Sequence, residues 1–303
     1  MSDAPRKRIV GRAPARPTDP RRLTFLGLSV PATIGLLAFL VAPLLLMISL
    51  SFHHDLNQDL LGPFQPTLEH YQDAAASGNY WQILQTSALM AFIVAVVATA
   101  LAYPVAYFLA FRAGKRAGLY LILLLVPFWT SYLLRVMAWK LMLGNNGVIN
   151  SALTGFGIID EPLKGLLFSR NTVIVTLIYV WIPFAMLPLL AVMGRIDVRL
   201  HDAAGDLYAS GFQQFRRVTL PLSLPGIAAA FLMVFIPTIG EYVTPLLVGG
   251  NAGLMYGNVI QDFFTRSGNW PMGSALSVVM LGVTLALVII GLRIVQPRRL
   301  LGR

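Results

Sequence analysis

Thirty consecutive residues, Leu23 to Phe52, carry no formal charge, and no other feature narrows the fold as far. About 20 apolar residues cross a bilayer as a helix, so one span lies inside this run. Ala74 to Phe111 is also charge-free, and its polar start at Ser77, Gly78 and Asn79 sets a second span from about Tyr80. Ala117 to Leu134 is a third, running on to Leu143 if Arg135 and Lys140 face a wet interior. Val173 to Met193, Leu222 to Val248 and Met272 to Val295 are the fourth, fifth and sixth. Hydrocarbon offers no partner for backbone N–H and C=O groups, so the spans must be helices. The alternating segments of about ten residues that build a membrane barrel are absent. The expectation is an all-α, polytopic membrane protein with six transmembrane helices within 23–303. The preceding segment 1–22, rich in Arg and Pro, is expected to be a disordered basic tail.

Only 12% of the chain is charged and 56% is hydrophobic, against about a quarter charged in soluble domains. An ordinary soluble enzyme is excluded. The absence of cysteine excludes a disulfide-stapled secreted scaffold. The net charge of +10 acquires meaning once sorted by span. Eighteen of the 23 basic residues fall on alternate sides: the N-terminal tail, the second-to-third and fourth-to-fifth connections, and the C-terminal end. The opposite face holds five basic residues and eight of the thirteen acids, giving +13 on one side and −3 on the other. The positive-inside rule then puts both termini in the cytoplasm. The basic excess is a topology signal and not a nucleic-acid footprint. The tail also resembles the n-region of a signal peptide, but the apolar run after it is too long, so a retained signal-anchor is expected.

Enzymatic motifs are missing. A phosphate loop needs G-x-x-x-x-G-K-S/T, and the nearest pair, Gly114-Lys115, has Leu109 where the first glycine belongs. Four scattered histidines lack metal spacing. No internal repeat argues for an inverted-repeat secondary carrier. The expectation is a chain with no catalytic residues, no metal site and no cofactor of its own.

Helical bundles usually join helices by about 2–8 residues, yet the cytoplasmic segment 195–221 is 27 residues long. Asp197 is a candidate N-cap for a helix whose apolar positions are Ile196, Leu200, Ala203, Ala204 and Leu207. Ser210-Gly211 ends it, Gly211 suiting a left-handed position and Ser210 capping a second helix, Phe212 to Thr219, that stops before Pro221. The segment is either a surface hairpin packed on its own bundle or a docking element for a soluble partner.

The run D-A-A-G-D-L-Y at 202–208, continuing to V-T-L-P at 218–221, resembles the cytoplasmic coupling loop of ABC importer permeases. The family pattern there is E-A-A, three residues, Gly, nine residues, then I-x-L-P. Asp202, Ala203, Ala204, Val218, Leu220 and Pro221 fall at its positions, and Leu207 and Gly211 lie between them. Tyr208 stands where the family has its glycine, and Gly211 is expected to supply the turn instead. V-P-F-W-T-S-Y-L-L-R-V-M-A-W at 126–139, N-N-G-V-I-N at 145–150, F-I-P-T-I-G-E-Y at 235–242 and N-W-P at 269–271 resemble the spermidine/putrescine branch. The match runs in order over roughly residues 25 to 295. The resemblance implies the type I ABC importer permease fold in a bacterial inner membrane. It also implies a second related permease chain, two ATPase subunits that bind the ATP and Mg, and an extracytoplasmic solute-binding protein. Polyamine import is the implied function; another small organic solute, or an ATP-independent carrier or channel, is the alternative.

Glu241 is the foremost pathway candidate. It follows Gly240 in the fifth span, where a carboxylate at mid-membrane costs about 2–3 kcal/mol, so it either faces a wet interior on the solute path or sits hydrated and inert at the outer interface. Tyr242 beside it can meet a cation through its ring, and Pro237 and Pro245 suit a broken helix lining a cavity. Trp129 and Tyr132 in the third span either join this path or belong to an aromatic belt, with Arg135 snorkelling to the interface.

Overall fold

The computed structural model describes residues 20–54, 66–163 and 165–295, and among them it contains twelve α-helices and no strand. Helix α1, Pro20–Leu50, forms a unit by itself. It opens at Pro20, whose fixed φ suits a first helical position, three residues earlier than expected; the rest of the proposed tail, 1–19, lies outside the described residues. Its segment Ser29–Leu50 is long and apolar enough to cross a membrane.

The second unit runs from Leu50 onward. A short α2, Glu69–Ala76, precedes the long α3, Gly78–Phe111. After a 3-10 turn at 114–116 come α4, Ala117–Leu125, a second 3-10 turn at 126–129, α5, Tyr132–Leu143, and α6, Val148–Gly155. Next are α7, Arg170–Met193, then α8, Arg199–Asp206, and α9, Gly211–Gln214. The chain closes with α10, Leu220–Ile239, α11, Tyr256–Thr265, and α12, Trp270–Val295. Five helices are long and apolar enough to span a membrane, and six if the bent pair Gly114–Trp129 and Tyr132–Gly155 counts as one.

That pair breaks the expected third span, Ala117 to Leu134, within its length. The chain turns by 80° at Thr130 and Ser131, both extended, with ψ of 155° and 138°. Pro127 opens the 3-10 turn that precedes the break, where its missing N–H costs no helical bond. The Thr130 hydroxyl then donates to the Pro127 carbonyl at 2.8 Å. Three short helices, α2, α6 and α11, occupy connections between the expected spans.

Helices α3, α7 and α10 pack most extensively on one another. On α3 the contact face is Ala91, Ala95, Ala98, Ala102 and Ala106, all fully buried. Spacing of three and four puts them on one side of the helix, and small side chains let helix backbones approach closely in a membrane bundle. Leu177, Met186, Leu189 and Met193 of α7 and Ala230 and Val234 of α10 fill the space opposite. One polar pair crosses this core: the Tyr103 and Ser223 hydroxyls lie 2.9 Å apart, joining α3 to α10. An apolar groove of about 520 Å³ between α3, α10 and α12, flanked by Phe92 and Phe231, carries no charged side chain and no cation site.

Candidate functional site: a hairpin and a broken helix at the two ends of α10

At one end of the bundle the segment 195–219 forms the expected helical hairpin. The Arg199 N–H donates to Asp197 Oδ1 at 3.0 Å, but the N-cap of α8 is Val198, without a side-chain cap bond, so the expected cap Asp197 stands one residue ahead of that position. Ser210 and Gln213 make a reciprocal capping box at the start of α9. One side of the hairpin packs on the bundle: the His201 ring meets Phe111 at 5.0 Å, and its Nε2 lies 2.9 Å from the Thr219 hydroxyl. Phe215 sets its ring edge-on to Tyr103 and Tyr107. The other side is open, with Leu207 82%, Tyr208 97% and Phe212 71% exposed. The packed side agrees with a hairpin that rests on its own bundle. Asp202, Ala203 and Pro221 are exposed, whereas Ala204, Val218 and Leu220 are half-buried towards the bundle side.

Two expectations for this loop are corrected. The second helix does not stop before Pro221: helix runs unbroken from Gly211 to Ile239, through a widened π turn at 215–219. A π turn relieves the crowding that a proline imposes on the preceding turn, so the helix survives. Gly211 does not make the reversal either; it opens α9. The left-handed residue is Tyr208 itself, with φ of 58°. The Tyr208 N–H donates to the Gly205 carbonyl at 2.8 Å and the Ala209 N–H to the Ala204 carbonyl at 3.0 Å. This is the paired bonding of a Schellman C-cap, in which the left-handed position is usually glycine. A side chain there costs about 1–2 kcal/mol.

At the other end of α10 the helix stops at Ile239. Residues 240–242 are non-helical, and a π turn follows at 245–249. The break expected from Pro237 and Pro245 is thus present, although it leaves Glu241 outside any helix. Its depth follows from its neighbours. A Cβ on Gly240 would sit 3.4 Å from Met280 of α12, ten residues below Trp270, or about 15 Å along the helix. The Tyr256 N–H at the start of α11 donates to the Ser87 hydroxyl of α3 at 2.8 Å. The break therefore lies well inside the bundle.

Non-helical backbone at such a depth needs partners from the protein. Glu241 Oε1 accepts from the N–H groups of Val243 and Thr244 at 3.0 and 3.2 Å, capping the turn after the break. Asn258 Nδ2 donates to the Tyr242 carbonyl at 2.8 Å, while its Oδ1 accepts from the Met255 N–H at 3.1 Å. Close backbone contact locks the arrangement: a Cβ on Gly257 would meet the carbonyl oxygens of Gly240 and Glu241 at 2.5 and 2.8 Å. Ser87 and Asn258 were not singled out from sequence. A polar residue within an apolar stretch was the signal that could have found them.

Of the four proposed pathway residues, the structure brings three together. The Tyr132 hydroxyl, first residue of α5, lies 2.5 Å from the Thr244 hydroxyl and within interaction range of the Glu241 carboxylate. Tyr242 follows Glu241 and is 44% exposed. Trp129 is 81% exposed in the 3-10 turn ahead of the third-span bend. Arg135, half-buried, sets its guanidinium 5.1 Å from the centre of the Phe128 ring, and its Nε and Nη1 are buried without a hydrogen-bond partner among the described residues. Outward of the break an open cleft of about 520 Å³ is lined by Tyr80, Asn251, Asn258, Gln261, Asp262 and Arg266, with apolar residues between them. The last two acidic and basic groups pair at 3.3 Å. Among the described residues no three His, Cys, Asp or Glu side chains gather as a metal site would require.

Comparison with known proteins fits this anatomy. A solved bacterial ABC transporter involved in import of the acidic polysaccharide alginate superposes with a TM-score of 0.71 at 16% identity, covering 92% of this chain and 97% of that one. The same kind of alginate transporter, solved with a pentasaccharide-bound periplasmic protein, gives 0.68 at 17% identity over 90% and 93%. These likenesses show the fold. In sequence, the chain is 35% identical to the spermidine/putrescine transport system permease protein PotB of Haemophilus influenzae, over 88% of this chain and 92% of that one. It is 32% identical to the inner membrane ABC transporter permease protein YdcU of Escherichia coli, over 70% and 71%. Residues 102–300 match the family described as the binding-protein-dependent transport system inner membrane component. With both the hairpin and the broken helix inside that match, the chain belongs to the family of inner membrane components of binding-protein-dependent transport systems.

Proposed function

We propose that this chain is a permease subunit of an ATP-driven importer that moves polyamines into the bacterial cytoplasm by alternating access. It pairs with a second related permease chain. Two ATPase subunits, which bind the ATP and Mg, dock on the hairpin face, and an extracytoplasmic binding protein delivers solute to the opposite face. The observation that carries the reading is the 35% identity, over most of both chains, to a spermidine/putrescine permease. The geometry supports it: a carboxylate inside the bundle, Glu241, has aromatic neighbours at Tyr242 and Tyr132, the groups that a chain of ammonium centres requires. The hairpin residues Asp202, Ala203, Ala204, Leu207, Gly211, Val218, Leu220 and Pro221 form the coupling element. The charge asymmetry of +13 against −3 supports cytoplasmic termini and a cytoplasmic hairpin.

A second reading, an importer of the same class for a different organic solute, is favoured by Arg135, whose unpartnered N–H groups would suit a carboxylate. Uptake of labelled spermidine and of an amino-acid-like anion in cells carrying the complete transporter separates the two. The same assay, with ATP depleted and the proton gradient intact, tests the energy source. The proposal requires spermidine uptake that stops without ATP; uptake sustained by the gradient alone would replace it with a secondary carrier.

A further inference from the structure

Tyr208 is the most exposed large apolar side chain of the hairpin, at 97%, and it occupies a backbone conformation that disfavours every residue with a Cβ. Its φ of 58° is imposed by the two hydrogen bonds that end α8. Glycine would satisfy both bonds without strain, so the ring contributes nothing to the turn. A strained position kept with a large aromatic is an outlier that points to use of the side chain.

The surroundings identify the use. Leu207 and Phe212 flank Tyr208 and are themselves largely exposed. Arg195, Arg199, Arg216 and Arg217 and Asp197, Asp202 and Asp206 on the same hairpin are all exposed, a mixed-charge surface that suits water and not hydrocarbon. An apolar knuckle set in such a surface fits a soluble protein that has an apolar cleft. Tyrosine and arginine are the residue types that carry most binding energy in such contacts.

Resting on the reading of this hairpin as the ATPase-docking element, we propose that Tyr208 is the anchor that selects the partner ATPase, its ring filling an apolar cleft on that subunit. The left-handed turn aims the side chain away from the bundle; a right-handed residue at the same place would continue α8 and carry the ring elsewhere.

The test uses the full-length chain assembled with its second permease chain in nanodiscs, titrated with the cognate ATPase. Tyr208→Gly keeps the turn and removes the ring. The expected result is an affinity lowered by about tenfold or more, the size of a typical hot spot, with the thermal midpoint of the permease unchanged or raised. Tyr208→Phe is expected to stay within about threefold of the wild type, because most of an aromatic anchor's worth is apolar area. Wild-type affinity in Tyr208→Gly overturns the proposal, as does a lowered thermal midpoint, which would assign the ring a structural role. The double variant Leu207→Asp, Phe212→Asp probes the underlying reading. If it abolishes binding while Tyr208→Gly does not, the anchor assignment alone fails; if it binds normally, docking at the hairpin itself fails.

Discussion

Gly257→Ala tests the architecture of the broken helix at its tightest point. Gly257 sits in the first turn of α11 with its α-carbon against the backbone of the break. An added methyl would lie 2.5 Å from the Gly240 oxygen, 2.8 Å from the Glu241 oxygen and 3.0 Å from the Gly240 carbonyl carbon, where ordinary contact begins at 3.4 Å. The nearest oxygen must retreat by about 0.9 Å. All three atoms are backbone, and the same backbone is tied by Asn258 and by the Glu241 cap, so no side chain can swing aside. Overpacking of this kind costs about 1–3 kcal/mol, and the rigid neighbours favour the upper half of that range. Replacing a helical glycine by alanine returns at most about 1 kcal/mol. The net loss is about 1–2 kcal/mol, or roughly 2–8 °C in thermal midpoint at the 2–4 °C per kcal/mol of a domain this size. Gly282→Ala, in α12 with nothing within 4 Å of the new methyl, is the control and is expected to be neutral or slightly stabilising. Thermal unfolding of the purified permease reads both. If Gly257→Ala melts with Gly282→Ala, α11 does not pack on the break and the reasoning is refuted.

Glu241→Gln keeps an oxygen to cap Val243 and Thr244 but removes the charge, so uptake of a cationic solute should fall by about tenfold or more, the worth of one charge-assisted hydrogen bond. A neutral solute should be little affected, and equal effects on both would remove Glu241 from the pathway. Tyr132→Phe, Thr244→Val and their double variant should give a coupling of about 1 kcal/mol in unfolding stability; additive effects would show that α5 and the turn after the break are not joined. Leu207→Asp should prevent co-purification of the ATPase with little change in permease stability. Ala204→Asp should also destabilise the hairpin, because Ala204 is half-buried, which makes it the poorer probe of docking.

The long spans were legible because a bilayer demands a length of apolar chain that nothing else in the sequence requires. Helices α3, α7 and α12 begin within three residues of where charge and polarity place them. The hairpin was legible through its apolar spacing and the Ser210 cap, although Asp197 stands one residue ahead of the first cap. The bend after Trp129 was not, since Pro127 is compatible with a kink, a bend or a straight helix, and the outcome depends on where α5 finds its contacts. Nor was the continuity of helix through Pro221, which rests on a π turn that no local pattern announces. Glu241 was found because a carboxylate in an apolar run is expensive. Ser87 and Asn258 escaped because their role exists only when three distant segments meet. Tyr208 was noted as a departure, but its strain is a property of backbone angles and becomes visible only in the fold.

The central claim, an ATP-driven permease for polyamines, is tested most directly in proteoliposomes. The chain is reconstituted with its second permease chain and ATPase, ATP is enclosed on the hairpin side, and the binding protein and labelled spermidine are added on the other. The account predicts accumulation that requires ATP, requires the binding protein and is strongly reduced in Glu241→Gln. Accumulation without ATP, or none with spermidine while another solute is taken up, would contradict it.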